Sequence, residues 1–275
     1  MFTVCAMMAL HIEAQVKSPK LSPLSKVSQR IGLTDLSVEY SRPSKSGRVV
    51  FGDLVPFDEV WRTGANENTK FTTSDMLFFG KDTLMPGTYA LYTKPGKISW
   101  EVYFYSDITN WGTLDVWDAS KIVLKLSQTS EQLTTGVETF NISFKDLSVE
   151  SAKICLEWEN TCVCIPFTMS TKTQVLASIE KTMAGPTATD YYDAASFYLR
   201  EKKEMKVALD WITKAVDMKP DAFWMLRTKA LIQAELGDKK GAIVSAKKSM
   251  ELAEKASYQN YVDMNKKSIE EWSKK

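Results

Sequence analysis

The sequence predicts an α+β protein of two domains, an antiparallel β-sandwich or barrel followed by an all-α array of helical hairpins. Three observations carry this. Between about residues 27 and 167, eight short runs rich in β-branched and aromatic residues alternate with turn signals, and no helical pattern separates them. After Phe167 the pattern changes, and from Gln174 onward apolar residues recur at the 3.6-residue helical period. That second half also repeats itself at an offset of 34 residues.

The first element is a leader. Residues 1–10, MFTVCAMMAL, form an apolar run too short to span a bilayer. It fits the apolar region of a secretory signal over residues 1–14, with cleavage after Ala14 and Gln15 as the new N-terminus. The run lacks a preceding Lys or Arg, and Ile12 is bulkier than the small residue usual there. A buried N-terminal strand or helix is the competing reading. The expected location is periplasmic or secreted. His11, the single histidine, leaves with the leader. The mature chain therefore has no histidine for a nucleophilic triad, a proton shuttle or a metal site.

The β-rich domain is expected over 15–168. Its strands are LSVEY (36–40), TKFTTS (69–74), MLFFG (76–80), TYALYT (88–93), ISWEVYFYS (98–106), IVLKLS (122–127), ETFNISF (138–144) and KICLEW (153–158). In SWEVYFY, Trp100, Val102 and Phe104 share one face, while Glu101, Tyr103 and Tyr105 share the other. That alternation is the mark of a half-buried antiparallel strand. Gly80-Lys81-Asp82, Pro86-Gly87 and Pro95-Gly96 read as tight turns.

Three cysteines remain after the leader. If Glu159-Asn160 forms a turn, Cys155 stands opposite Cys164, and an oxidising compartment permits a disulfide there. Cys162 shares a face with Cys164 by the period-two rule, so a pairing of Cys155 with Cys162 stays open, as does a set of buried free thiols. Zinc would need a fourth ligand, and no metal or cofactor is expected.

TMSTKT (168–173) reads as a polar linker to the helical domain, 174–275. Helices are expected at 174–184, 188–201, 204–218, 221–236, 239–255 and 258–273, with breaks at Gly185-Pro186 and Gly237-Asp238. The 34-residue offset pairs Ala208 with Ala242, Ser196 with Ala230, Leu199 with Gln233, Ile212 with Ala246 and Ala215 with Ser249. Small residues suit the close crossing of two helices. This spacing resembles the tetratricopeptide repeat, over about 189–222 and 223–256. Lys203-Glu204 replaces the Gly-Asp turn in the first repeat, and Glu254 replaces the closing Pro in the second. Two repeats are fewer than such arrays need, so the outer helices act as caps or the β domain lends support. The resemblance implies a groove for a protein partner.

Charge narrows the function. Lys+Arg 35 against Asp+Glu 34 argues against nucleic-acid binding by bulk charge, and no later apolar run is long enough for a membrane span. The hydrolase elbow GxSxG, the phosphate loop, GxGxxG, HExxH and an EF-hand loop are absent. Carboxylate chemistry or a Lys- or Tyr-based mechanism stays open. With 34 acidic residues, carboxylate pairs chosen from sequence carry no weight.

One stretch stands out. YSRPSKSGRVVFGDLVPFDEVWRTGANE (40–67) concentrates Arg42, Lys45, Arg48 and Arg62, and places Asn66 and Glu67 after the Gly64-Ala65 bend beside Trp61. Planar polar groups next to an indole suit a carboxylate, phosphate or sugar. The bland alternative has Arg62 pinning the loop to Glu67 or Asp58 and Trp61 in the core. Among the other aromatics, Trp111 in SDITNWG is the best candidate for an exposed ring. The candidate ligand-binding set is Arg42, Arg48, Trp61, Arg62, Asn66, Glu67 and Trp111.

This run, followed by GKDTL, PGTYALYTKP, Trp100-Glu101, Trp111-Gly112 and WENTCVCIPF, resembles the domain of unknown function family 2911 over about residues 15–168. The family's signatures fall on Ser41-Arg42-Pro43, on Trp61, Arg62, Gly64, Ala65 and Asn66, and on Trp111-Gly112. LDVWDAS (114–120) has no counterpart. The resemblance implies a bacterial, exported, β-rich protein that begins with a secretory signal, and implies no reaction. The expected function is a non-enzymatic module that binds a small polar ligand or glycan on the β domain and a protein partner on the repeats. The alternative is a carboxylate-based hydrolase of saccharide or cell-envelope material, with Glu67 or Asp107 as acid or base and two carboxylates about 5–9 Å apart. A purely structural protein without a pocket is the third possibility.

Overall fold

The computed structural model describes residues 18–112, 114, 116–183 and 185–274. The expected leader, with Cys5 and His11, lies outside the described residues. The chain divides into two compact units, one ending at Thr171 and the other beginning at Lys172.

The first unit is built on nine strands: β1 (Leu24–Ile31), β2 (Thr34–Ser41), β3 (Ala65–Thr73), β4 (Leu77–Phe79), β5 (Asp82–Leu84), β6 (Gly87–Lys94), β7 (Ser99–Tyr105), β8 (Ile122–Lys145) and β9 (Ser151–Met169). They form one antiparallel sheet in the order β1-β2-β3-β6-β7-β8-β9-β4-β5. Among the described residues no ladder joins β1 to β5, so the sheet is not closed into a barrel.

β9 carries the sharpest local feature. The Cα atoms of Cys155 and Cys164 are 4.1 Å apart. An extended strand would separate them by about 30 Å. The run therefore folds back at Glu159, which takes a φ of +54°, and Asn160. Its two arms pair with different parts of β8. Lys153 to Glu157 lie against Lys145 to Asn141, and Thr161 to Val163 lie against Gln132 to Ser130.

β7 shows how both faces of the sheet are covered. Trp100, Val102 and Phe104 enter the main core with Phe71, Leu91, Phe140, Trp158 and Ile165. Tyr103 and Tyr105 are buried as well, in a second cluster with Ala90 and Tyr92. Trp117 caps that cluster, lying against Tyr92, Tyr103 and Tyr105. The expected half-exposed strand is thus buried on both faces, because Leu114 and Trp117 pack over the tyrosines.

The second unit holds six helices: α1 (Thr171–Thr182), α2 (Ala188–Glu201), α3 (Met205–Met218), α4 (Phe223–Glu235), α5 (Lys239–Lys255) and α6 (Gln259–Trp272). α1 starts two residues after β9 ends, so the expected six-residue linker is almost absent. Thr187 opens α2 with a capping box to Asp190, and the Asp238 side chain caps α5 through Gly241 N. The α2–α3 turn, which lacks Gly-Asp, instead uses Lys202 and Glu204 at φ +50° and +46°. Ala208, Ile212, Ala215, Ala230, Ala242, Ala246 and Ser249 are all fully buried, which accounts for the small residues at the 34-residue offset. Among the described residues, no helix is long and apolar enough to cross a membrane.

Candidate functional site

Between β2 and β3 the chain leaves the regular sheet over residues 42–64 and returns through a bend at Gly64. Gly64 sits at φ +152°, and a Cβ there would stand 2.9 Å from the Ser41 carbonyl oxygen and 3.2 Å from Thr69 Oγ1. Only glycine fits this bend without a shift. Asn66 follows at φ +59°. The bend is pinned by Trp61: its indole N–H donates to Gly64 O at 3.0 Å, and its backbone exchanges hydrogen bonds with Thr93 at 2.7 and 2.9 Å.

Below the bend lies an aromatic floor. Trp61 stacks on Trp158, with centroids 5.8 Å apart, and meets Phe51, Trp100 and Phe140 edge-on. Trp158 is held by donating its indole N–H to Glu138 O. Above this floor opens a pocket of about 410 Å³. Arg48, Glu59, Trp61, Arg62 and Trp158 line it, together with Leu21 and Ser22 from the segment before β1 and the apolar Leu54, Val55 and Pro56. Glu59 is the only carboxylate among these lining residues.

The polar groups are placed as follows. Arg48 is anchored by donating Nε to Lys45 O at 2.9 Å and Nη2 to Ser44 O at 2.7 Å. Arg62 is half-buried beside Tyr92. Burial pulls its guanidinium below the ordinary arginine value, and Tyr92 opposes that shift. Burial in turn pushes the Tyr92 phenol up to about 12.

The seven candidates from the sequence do not form one cluster. Arg48, Trp61 and Arg62 line this pocket, Trp61 as a buried member of the main core. Arg42 braces the loop on β8, donating Nε to Phe140 O at 2.9 Å and Nη2 to Asn141 Oδ1 at 3.3 Å. Asn66 braces the N-terminal segment, donating Nδ2 to Ser22 O and Ser41 Oγ at 3.1 Å each. Glu67 and Trp111 form a separate group around Lys20, whose Nζ lies 3.2 Å from the Glu67 carboxylate and 5.3 Å from the centre of the Trp111 ring. Trp111 is 68% exposed, as its turn-rich setting suggested. The Glu67 carboxyl lies below the usual range, through its own backbone N–H first and Lys20 after it.

Trp158, Glu59, Leu21 and Ser22 were not singled out from sequence. Trp158 stands in the sequence only within the KICLEW strand and the WENTCVCIPF motif, and Asn66 ties Ser22 down beside the pocket by donating Nδ2 to its carbonyl oxygen. Cys155 and Cys164 form the disulfide, and Cys162 is free and buried.

A family model described as a protein of unknown function, DUF2911, matches residues 22–167, just over half of the chain. No curated protein and no solved structure matches.

Proposed function

The chain belongs to the DUF2911 family, and from that premise we propose that it is an exported, non-enzymatic binding module. Its β unit takes a small polar ligand or glycan in the pocket under the Gly64 bend. Its helical unit, read as tetratricopeptide-like hairpins, offers a surface to a protein partner.

The observation that carries this reading is the makeup of the pocket. Two guanidinium-bearing residues, Arg48 and Arg62, border a cavity floored by Trp61 and Trp158. Guanidinium groups match carboxylate, phosphate or vicinal hydroxyl oxygens, and aromatic walls cover the apolar face of a sugar or ring. Most glycosidases use two carboxylates across one cleft, and among the described residues lining this pocket Glu59 is the one carboxylate. The two acids considered for that role are engaged elsewhere, Glu67 with Lys20 and Asp107 with Lys121 Nζ at 2.8 Å. Both facts support binding over hydrolysis. The Cys155–Cys164 disulfide supports an oxidising, extracytoplasmic location. The buried small residues recurring at an offset of 34 residues support the repeat reading.

The test is a thermal-shift screen of protein beginning at Gln15 against monosaccharides, sugar phosphates, nucleotides and cell-wall fragments. A ligand that binds the folded state raises the melting temperature in proportion to RT ln(1 + [L]/Kd). The reading expects a rise with at least one class, lost in Arg48→Ala. A rise of equal size in Arg48→Ala and Glu59→Gln moves the ligand away from this pocket.

A further inference from the structure

Three sulfur atoms meet where β9 folds back. Cys155 and Cys164 are bonded, and the free Cys162 places its Sγ 3.5 Å from Cys164 Sγ. All three sulfurs lie within 4.8 Å of one another. Strand geometry produces this cluster. Residues two apart share a face, which brings Cys162 beside Cys164, and the turn at Glu159-Asn160 sets Cys155 across from Cys164. The three differ in access, since Cys155 and Cys162 are buried and Cys164 is partly exposed. An ion pair of Lys145 Nζ with the buried Glu157 carboxylate, at 2.5 Å, borders the cluster.

We propose that this cluster is a thiol–disulfide exchange centre in which Cys162 displaces Cys155 from Cys164. The Cys162 thiol gives its proton to solvent, and the thiolate attacks Cys164 Sγ. The Cys162–Cys164 S–S bond forms and the Cys155–Cys164 bond breaks. The electron pair leaves on Cys155 Sγ, which takes up a proton. One disulfide and one thiol stand on each side, so no oxidant or reductant is consumed. The second pairing is within reach, because residues two apart on a strand stand about 6.6 Å apart, inside the Cα range of disulfides.

A small external thiol enters the same cycle at Cys164, the partly exposed cysteine of the three. It forms a mixed disulfide there and releases Cys155. Cys162 then attacks Cys164 Sγ and expels the external thiol unchanged. Burial, and after it Glu157, hold the Cys162 thiol above its ordinary value, while Lys145 acts against them. The attacking thiolate is therefore scarce in both routes, and a helper thiol adds a second route that opens the Cys155–Cys164 bond first.

The test maps the free thiol. Folded protein is incubated with and without reduced glutathione, then quenched and alkylated with N-ethylmaleimide in denaturant at mildly acidic pH, where exchange is frozen. Peptide mass spectrometry locates the adduct. Exchange predicts adducts on both Cys162 and Cys155, with glutathione hastening the approach to that mixture. In Cys162→Ala and Cys162→Ser no internal thiol is left to displace Cys155, so Cys155 takes no adduct without glutathione, and with glutathione it is labelled only as the thiol released by a mixed disulfide on Cys164. In the wild type an adduct confined to one cysteine with and without glutathione, or in both variants an adduct on Cys155 without glutathione that equals the wild-type level, overturns the proposal.

Discussion

Trp61 and Trp158 lie nearly parallel at the floor of the pocket, their ring centroids 5.8 Å apart and their planes 21° from parallel. One ring hangs from the loop that carries Arg48 and Arg62, and the other is fixed on β9. The stack therefore joins the candidate binding loop to the sheet.

Removing the β9 side of that stack tests its weight. Trp158→Ala takes a buried ring from contact with Trp61, Phe51 and Phe140 and leaves a cavity. The expected loss is about 3–5 kcal/mol. Trp158→Phe keeps most of the volume and loses less. Urea unfolding followed by far-ultraviolet circular dichroism measures both. A loss below about 1 kcal/mol for the alanine variant contradicts the stack as a structural joint.

The bend itself is tested by a pair of glycines. At Gly64 an added Cβ meets backbone at 2.9 Å, whereas at Gly80, with φ +64°, it meets nothing within 4 Å. Gly80→Ala pays only the left-handed backbone cost, about 1 kcal/mol, and Gly64→Ala loses clearly more. Calorimetric melting of the two variants gives the order. Equal losses would show that the close approach to Ser41 is readily relieved.

Alkaline titration tests the site's buried phenol. Burial raises Tyr92 from an ordinary value near 10 to about 12 in the folded chain. A group raised on folding adds stability that is complete below its unfolded pKa and is lost as pH climbs through the folded one. Stability is therefore expected to fall between about pH 10 and 12, with Tyr92→Phe removing part of that fall. Absorbance at the phenolate band and melting temperature across this window check it. A variant whose alkaline profile overlays the wild type counts against Tyr92 as the source.

The helical repeat is tested by Ala208→Leu and Ala242→Leu. Both alanines are fully buried and stand 34 residues apart. If they occupy equivalent crossings, each leucine overpacks its crossing by about 1–3 kcal/mol. Thermal unfolding of the separate variants should give similar losses. A neutral result at one position breaks the equivalence.

Much of the fold was legible in the chain. Alternation over Trp100 to Phe104 gave the inward face of β7, and Glu159-Asn160 gave the reversal that joins Cys155 to Cys164. The 34-residue offset gave the buried alanines. Each is a local rule, of period two, of a turn or of period 3.6, and needs no knowledge of distant neighbours. The covered outer face of β7 was not legible, because Trp117 comes from a segment with no regular period.

The site follows the same division. Sequence alone selected the 40–67 loop, its arginines and its glycine bend, since residue type and backbone freedom are properties of the chain. Tertiary structure decided which groups face a cavity. Arg42 and Asn66 bond to Phe140 O and Ser22 O and brace the loop, while Arg48, itself anchored on Lys45 O and Ser44 O, and Arg62 line the cavity. Trp158 reaches the pocket from β9 through long-range packing, whereas Glu59 arrives with the loop itself. Which polar side chain lines the cavity and which braces the loop away from it depends on strands far away in sequence, and no local pattern encodes it.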